Sequence, residues 1–199
     1  MDGVKNIYLM KKTISILAFF FLAEVAFSQS VKNTSYVNKS GEKVLRYEIV
    51  VPLGIDETWK LCSTDEGLKK WMAPSAHIEL KAGGQIVTNY DVTKSLNDTT
   101  SIKLPISNFI EKEMIVLKVN LNYNFSANVR SEDDNLFEII QLKKIDNKQT
   151  SLISSMVGFG KGIEWEKTYH FFEKGNAWTC EQLVNVFDNK QANAKKSSN

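Results

Sequence analysis

The chain has 199 residues, of which 43% are hydrophobic, so it is long enough for one domain and apolar enough for a substantial core. Its formal net charge is +2, and its 25 basic residues are scattered among 23 acidic ones. Because phosphate binding needs basic side chains concentrated on one face, this distribution argues against a nucleic-acid groove.

The N-terminal region has the pattern of an export signal. Two lysines precede an apolar run at 13–27, and small residues follow at the positions that a signal peptidase reads. The run is broken by Glu24 and is short of the ~20 apolar residues that span a bilayer, which argues against a membrane anchor. We therefore predict a signal peptide at 1–28, cleavage before Gln29, a periplasmic or secreted location and no stable membrane insertion afterwards.

The domain itself is predicted to begin after a short leader. Residues 29–41 are polar and without pattern, which indicates a flexible leader ahead of a domain at 42–189, with a polar tail at 190–199. From Val44 apolar and polar residues alternate, which predicts a half-buried first strand that ends at Pro52.

Two short helices are predicted next. Asp56 fits the N-cap position of the first, and Trp59 lies on its apolar face. Thr64 or Asp65 caps the second, whose apolar stripe includes Trp71. A proline shortly afterwards prevents further helix.

Six further strands follow as three hairpins, and one long helix closes the chain. The alternating segments are 76–80 with 85–92, 101–110 with 114–121, and 136–145 with 150–160. Pro105 fits only an edge strand or a β-bulge. A helical aromatic stripe runs from Ile163 to Phe187, with a bend or break expected at Gly175. The predicted fold is α+β: a curved antiparallel sheet of about seven strands around the C-terminal helix, with two short helices after the first strand.

Several short motifs connect this order of elements with a known superfamily. They are Asp-Glu-x-x-Trp at 56–59, Thr-Asp-x-x-x-Leu-x-x-Trp at 64–71, the Gly-Gly turn at 83–84, and "GNAW" at 175–178 in the last helix. Together they resemble the START-like, or SRPBCC, helix-grip superfamily, and within it the branch similar to activators of heat-shock-protein ATPases. The resemblance implies a cavity between the sheet and the long helix, closed at one end by the two short helices.

The predicted ligand site lies in that cavity. An apolar interior with scattered polar groups is typical of a pocket for a hydrophobic or amphipathic small molecule. The residues expected to line it are Trp71, Thr88, Tyr90, Leu117, Val119, Met156, Trp165, Tyr169 and Phe172. The alternative is a packed core without a cavity, in which the aromatic residues act only as core anchors.

No constellation for catalysis, metal binding or cofactor binding is evident. His77 and His170 have the polar parity of their strand and helix, and the two histidines and two cysteines lack the close spacing of a zinc site. The acidic run at 131–135 lacks the spaced ligands of a calcium loop, and "GFGKG" at 158–162 lacks the sequence of a phosphate-binding loop. Cys62 and Cys180 are expected either to form a disulfide or to remain two buried thiols.

The sequence leaves three functions open. The first is an exported binding protein for a hydrophobic small molecule, without cofactor. The second is an enzyme of the cyclase or dehydratase type on an aromatic or polyketide-like substrate, which would need Tyr90, Asp91 or Tyr169 to point inward. The third is a ligand-free protein-interaction module. Export argues against a cytosolic heat-shock ATPase as the partner.

Overall fold

The computed structural model describes residues 30–197, and side chains as far as residue 189. The elements in chain order are β1 (Lys32–Asn33), β2 (Tyr36–Val37), β3 (Lys43–Val51), α1 (Ile55–Ser63), α2 (Asp65–Leu68), β4 (Ser75–Ile78), β5 (Gln85–Asn89), β6 (Ile102–Ile110), β7 (Met114–Lys118), α3 (Ala127–Arg130), a 3-10 turn (Asp133–Asn135), β8 (Phe137–Lys144), β9 (Thr150–Val157) and α4 (Ile163–Ser197). The predicted signal peptide at 1–28 lies outside the described residues.

All strands belong to one antiparallel sheet. Its order is β1-β3-β9-β8-β7-β6-β5-β4, and β2 also pairs with β3. Helix α4 packs on one face, where the hydroxyl of Tyr47 donates a hydrogen bond of 2.9 Å to the backbone oxygen of Glu173. Because side chains alternate across a strand, every second residue of the central strands faces α4.

The strand register determines which side chains share this interior face. One row of cross-strand neighbours runs through Leu45 of β3, Met156 of β9, Glu138 of β8 and Leu117 of β7. Three of the four are apolar and fully buried. The fourth is a carboxylic acid, so the sheet presents an ionisable group to α4 from its middle.

The helical joint after β3 is tied to the edge strand β4. The hydroxyl of Thr64 accepts a hydrogen bond from the backbone N–H of Gly67 and caps α2. The Asp65 carboxylate accepts the backbone N–H of Ile78 at 2.8 Å and contacts the ring of His77 at 2.9 Å. A carboxylate that covers an edge N–H blocks the pairing of a further strand there.

The first helix begins differently from the prediction. Asp56 is not its N-cap: Gly54 holds that position without a side-chain hydrogen bond. Asp56 lies in the first turn and pairs with Lys112 at 2.7 Å, where its charge also complements the helix dipole. An acidic residue fits both positions in sequence, because the N-cap and the first turn of a helix both favour it.

The leader is shorter than predicted, because part of it adds two strands to the sheet. Within 29–41, β1 pairs with β3 through Lys32 opposite Glu48, and β2 pairs through Tyr36 opposite Val44. The sheet therefore has nine strands rather than about seven. Without β1 and β2, the outer backbone groups of β3 would form an open edge.

Helix α4 is longer than predicted and unbroken. It passes Gly175 without interruption and extends into the predicted tail at 190–199. Gly175 is exposed and a side chain there would meet open space, so the cost of glycine at this position is its low helix propensity, about 1 kcal/mol relative to alanine.

Pro105 lies within β6 beside a register shift between Ile106 and Asn108, which agrees with the predicted bulge.

Candidate functional site

Glu138 interrupts the buried apolar pattern in the middle of the sheet. Its cross-strand neighbours Leu117 and Met156 are fully buried, yet Glu138 keeps part of its surface accessible. A partly accessible side chain between fully buried neighbours is a departure from close packing at this point of the interior face.

The environment of Glu138 favours the protonated acid. Burial raises the pKa of its carboxyl from 4.5 to about 7. Among the residues that the structure describes, none forms a hydrogen bond or an ion pair with this side chain. A buried carboxylate without partners is costly, which is the cause of the raised pKa.

Helix α4 brings further polar groups to the same place. The charge of Glu138 contributes to the raised pKa of the Cys180 thiol, about 12, although burial is the larger cause. Asn176, one turn earlier on the same face, has a side-chain nitrogen that is buried without a hydrogen-bond partner in the described part of the chain. Unpaired buried donors are rare, and each costs about 1–3 kcal/mol.

Tyr90 approaches this group from the end of β5. Burial of its hydroxyl and the charge of Glu138 raise the pKa of Tyr90, while the nearby Thr179 lowers it. Its ring lies 6.0 Å from the ring of Trp178, and 48% of Tyr90 and 47% of Trp178 are exposed. This aromatic pair therefore lies where the interior meets solvent. We call Glu138, Tyr90, Asn176, Thr179 and Cys180 the Glu138 site.

Aromatic rings cluster around the first turns of α4. Phe125 stacks on Phe172 at 5.7 Å, and Phe159 contacts Phe172, Tyr169 and Trp165 edge to face. Such pairs add roughly 0.5–1.5 kcal/mol each beyond their buried area. The interior thus combines a rigid aromatic end with the polar Glu138 site.

The predicted lining residues divide into three groups. Leu117 and Met156 flank Glu138, and Tyr90 belongs to the Glu138 site; Thr88 and Val119 are buried on the same sheet face. Trp165, Tyr169 and Phe172 form the aromatic end, where each contacts Phe159.

Trp71 lies apart from these residues. It is buried in the helical joint, and its ring N–H donates a hydrogen bond of 3.0 Å to the backbone oxygen of Leu61. Its polar group is therefore already paired within the joint, as in a core anchor. Whether a ligand contacts any of the nine residues stays a prediction.

The two cysteines are free thiols in the structure. Cys62 on α1 and Cys180 on α4 are both buried, which is the second of the two alternatives that the sequence left open. Burial raises the pKa of each thiol to about 12, so neither is a thiolate near neutral pH. A buried protonated thiol is a poor nucleophile.

His77 and His170 are exposed, as expected from their parity.

The acidic run at 131–135 is not simply solvated, because Glu132 accepts the ring N–H of Trp165 at 2.8 Å and Asp133 accepts the backbone N–H of Leu121 at 2.7 Å. Within residues 30–197, no group of three His, Cys, Asp or Glu side chains could hold a metal ion.

Sequence reasoning missed Glu138 and Asn176. The signal for Glu138 was its parity. In "LFEIIQLKKI" it has the same parity as Leu136, Ile140 and Leu142, which are all buried in the structure, so it lies on the same face of the strand. A carboxylate at a core-facing position of a central strand is a stronger sign of function than another apolar residue. Asn176 lies four residues before the buried Cys180 on α4, so its helical spacing was the signal for an inward position.

Comparisons with known proteins support the fold. No protein-family model and no curated protein matches the sequence. The conserved protein of unknown function EF2215 from Enterococcus faecalis has a TM-score of 0.56 at 15% identity, over 78% of this chain and 77% of that chain. The Aha1 dimer from Colwellia psychrerythraea gives 0.54 at 13%, over 72% and 94%. CalU16 from Micromonospora echinospora gives 0.54 at 10%, over 78% and 81%.

The chain has a helix-grip fold. The α+β class, the curved antiparallel sheet and the long C-terminal helix predicted from sequence are confirmed. At such low identity the likeness establishes the fold alone, because proteins that share a fold often differ in activity. None of the helices in the described range is long and apolar enough to cross a bilayer.

Proposed function

We propose that this chain is an exported helix-grip protein that binds a hydrophobic or amphipathic small molecule between its sheet and α4. The observation that carries the proposal is Glu138: a partly accessible acidic side chain on the interior face, between fully buried apolar neighbours, whose carboxyl has no hydrogen bond or ion pair among the described residues. A core that served only for stability would gain by an apolar residue there, because unpaired buried acids destabilise proteins.

The surroundings of Glu138 fit a ligand with one polar end. Apolar side chains of the sheet and the aromatic end near Phe172 offer walls for a hydrophobic body. The unpaired side-chain nitrogen of Asn176 and the hydroxyl of Tyr90 add polar groups, and the hydroxyl of Thr179, which donates to the backbone oxygen of Gly175, can still accept a hydrogen bond. Ligand sites typically combine apolar walls with a few such convergent polar groups.

Export is part of the proposal and is supported by the sequence pattern at 1–28. Strand β1 begins at Lys32, so cleavage before Gln29 would leave every strand of the sheet intact. Intact-mass measurement of protein from the periplasmic fraction of an expressing bacterium tests it, and the expected mass is that of a chain beginning at Gln29. An uncleaved chain that remains with the cytoplasmic fraction would contradict export.

The branch within the superfamily is also proposed rather than shown. The motifs at 56–59 and 64–71 support the branch similar to activators of heat-shock-protein ATPases. The activity in that branch name is not carried over, because an exported chain would not meet a cytosolic ATPase.

A fluorescence titration tests small-molecule binding. The probe is N-phenyl-1-naphthylamine, a neutral apolar fluorophore, and we expect saturable binding of one molecule per chain. Asn176→Phe fills the space beside Glu138 and should weaken binding at least about tenfold; Glu181→Phe, on the exposed side of α4, is the matched control and should leave it unchanged. Equal effects of both variants in folded protein, or no binding by the unaltered chain, would contradict the proposal.

A second candidate is an acid–base enzyme, and the pKa of Glu138 favours it. A carboxyl with a pKa of about 7 is suited to proton transfer near neutral pH. This candidate needs Tyr90, Asp91 or Tyr169 to point inward. Tyr90 approaches Glu138 and Tyr169 is buried at the aromatic end, whereas Asp91 is exposed and bonds to Thr93 in its own loop. Protein-dependent exchange of α-protons of an aromatic ketone for deuterium, lost in Glu138→Gln, would support it; equal exchange by both proteins would argue against it.

A further inference from the structure

The charge pattern of the interior indicates which ligands it accepts. The inference rests on the proposed function, that a small molecule occupies the space at the Glu138 site. Glu138 is the acidic residue on the central interior rows of the sheet. Basic residues of the same face lie only at the ends of strands in the part of the chain described: Lys43 pairs with Glu166 of α4, and Lys144 is exposed at the end of β8.

The groups that α4 and β5 turn toward Glu138 do not supply a compensating positive charge. They are the thiol of Cys180 and the hydroxyl of Tyr90, which are neutral or, if ionised, negative, and the neutral side chains of Thr179, beside Tyr90, and of Asn176, one turn before Cys180. On the neighbouring strands, Leu117 and Met156 are apolar. The carboxylate can therefore be neutralised in place only by a proton or by a cation that the ligand brings.

We propose that the Glu138 site selects amphipathic amines, with the charged nitrogen bound by the Glu138 carboxylate and the apolar body extending along the sheet under α4. An ammonium group would supply the missing positive charge together with its own hydrogen-bond donors. A fatty acid of the same length would bring a second negative charge beside the first, and an alcohol would bring neither charge.

Competition against the bound naphthylamine probe tests this selectivity at pH 8. The competitors are decylamine and decanoate, each below its critical micelle concentration, and 1-decanol below its solubility limit. Because a hydrogen-bonded charge pair is worth roughly ten- to a hundredfold in affinity, we expect decylamine to bind at least about tenfold tighter than 1-decanol, with decanoate weakest.

Two variants locate the selectivity. Glu138→Gln keeps the size of the side chain and should bring the three competitors to within about threefold of one another. Glu181→Gln removes an exposed acid from the next turn of α4 and should leave the preference for decylamine intact. Lowering the pH from 8 to 5 should weaken decylamine binding to the unaltered chain and leave 1-decanol unchanged, since Glu138 then takes up a proton.

The outcomes separate this inference from the proposed function. Decanoate that binds as tightly as decylamine, or a decylamine preference that survives Glu138→Gln, would overturn amine selection while leaving an apolar ligand site in place. Displacement of the probe by none of the three competitors would overturn it as well. Absence of probe binding to the unaltered chain would overturn the ligand site itself.

Discussion

Replacement of Glu138 by glutamine should stabilise the protein at neutral pH and not at acidic pH. The folded protein raises the pKa of this carboxyl from 4.5 to about 7. The native state therefore holds a proton that the unfolded chain releases between these two values, so the contribution of Glu138 to stability is most favourable below pH 4.5 and falls as the pH rises to about 7.

The size of the effect follows from the two pKa values. One pKa unit corresponds to about 1.4 kcal/mol, so ionisation of Glu138 costs the native state at most about 3.5 kcal/mol above pH 8. Part of the side chain is accessible, and solvent screening reduces this figure to about 1–3 kcal/mol. Glutamine cannot ionise and avoids the cost at every pH.

Urea unfolding at pH 4.5 and pH 8 measures the difference. We expect the free energy of unfolding of Glu138→Gln, relative to the unaltered chain, to rise by about 1–3 kcal/mol between the two pH values. Glu113→Gln, in the exposed turn between β6 and β7, serves as the control and should show no such rise. A stability difference for Glu138→Gln that is the same at both pH values would refute the reasoning.

Three further substitutions test the packing that supports the site. Gly175→Ala should raise the free energy of unfolding by about 0.5–1 kcal/mol, since the position is exposed, helical and open to a side chain; an unchanged or lower value in urea would contradict this. Gly158→Ala should destabilise by at least about 2 kcal/mol, because φ is 85° and a Cβ would stand 1.6 Å from the backbone oxygen of Asn135; a thermal midpoint equal to that of the unaltered chain would be the contrary result. Trp71→Phe should cost about 1–3 kcal/mol in urea unfolding by leaving the backbone oxygen of Leu61 without its donor, and stability within 0.5 kcal/mol would count against that role.

The sequence predicted the elements of the fold well where hydrophobic periodicity was strong. The three hairpins and the final helix were placed by alternation and by the aromatic stripe. The two strands in the leader were not predicted. β1 and β2 are two residues each, form by pairing with the edge of β3, and have no alternating pattern of their own. The length of α4 was underestimated because a polar tail has no stripe to mark it as helix.

The candidate site was harder to predict for a physical reason. Apolar lining residues such as Leu117 and Met156 have the same pattern whether they face a ligand or a packed core. Glu138 and Asn176 carry the information, since polar groups at inward positions without partners need an explanation. Their partners depend on the register of β8 with its neighbours and on the distance between the sheet and α4, which a single sequence does not encode locally.

The most direct test of the central claim is to measure where on the protein a small molecule binds. We would titrate isotope-labelled protein, beginning at Gln29, with the naphthylamine probe and map the changes in backbone amide chemical shifts. The account predicts that the largest changes lie around Glu138 in β8, its neighbours in β7 and β9, and the turn 176–180 of α4. Changes confined to the exposed aromatic surface around Phe171, or no changes at saturating probe, would contradict a ligand site between the sheet and the helix.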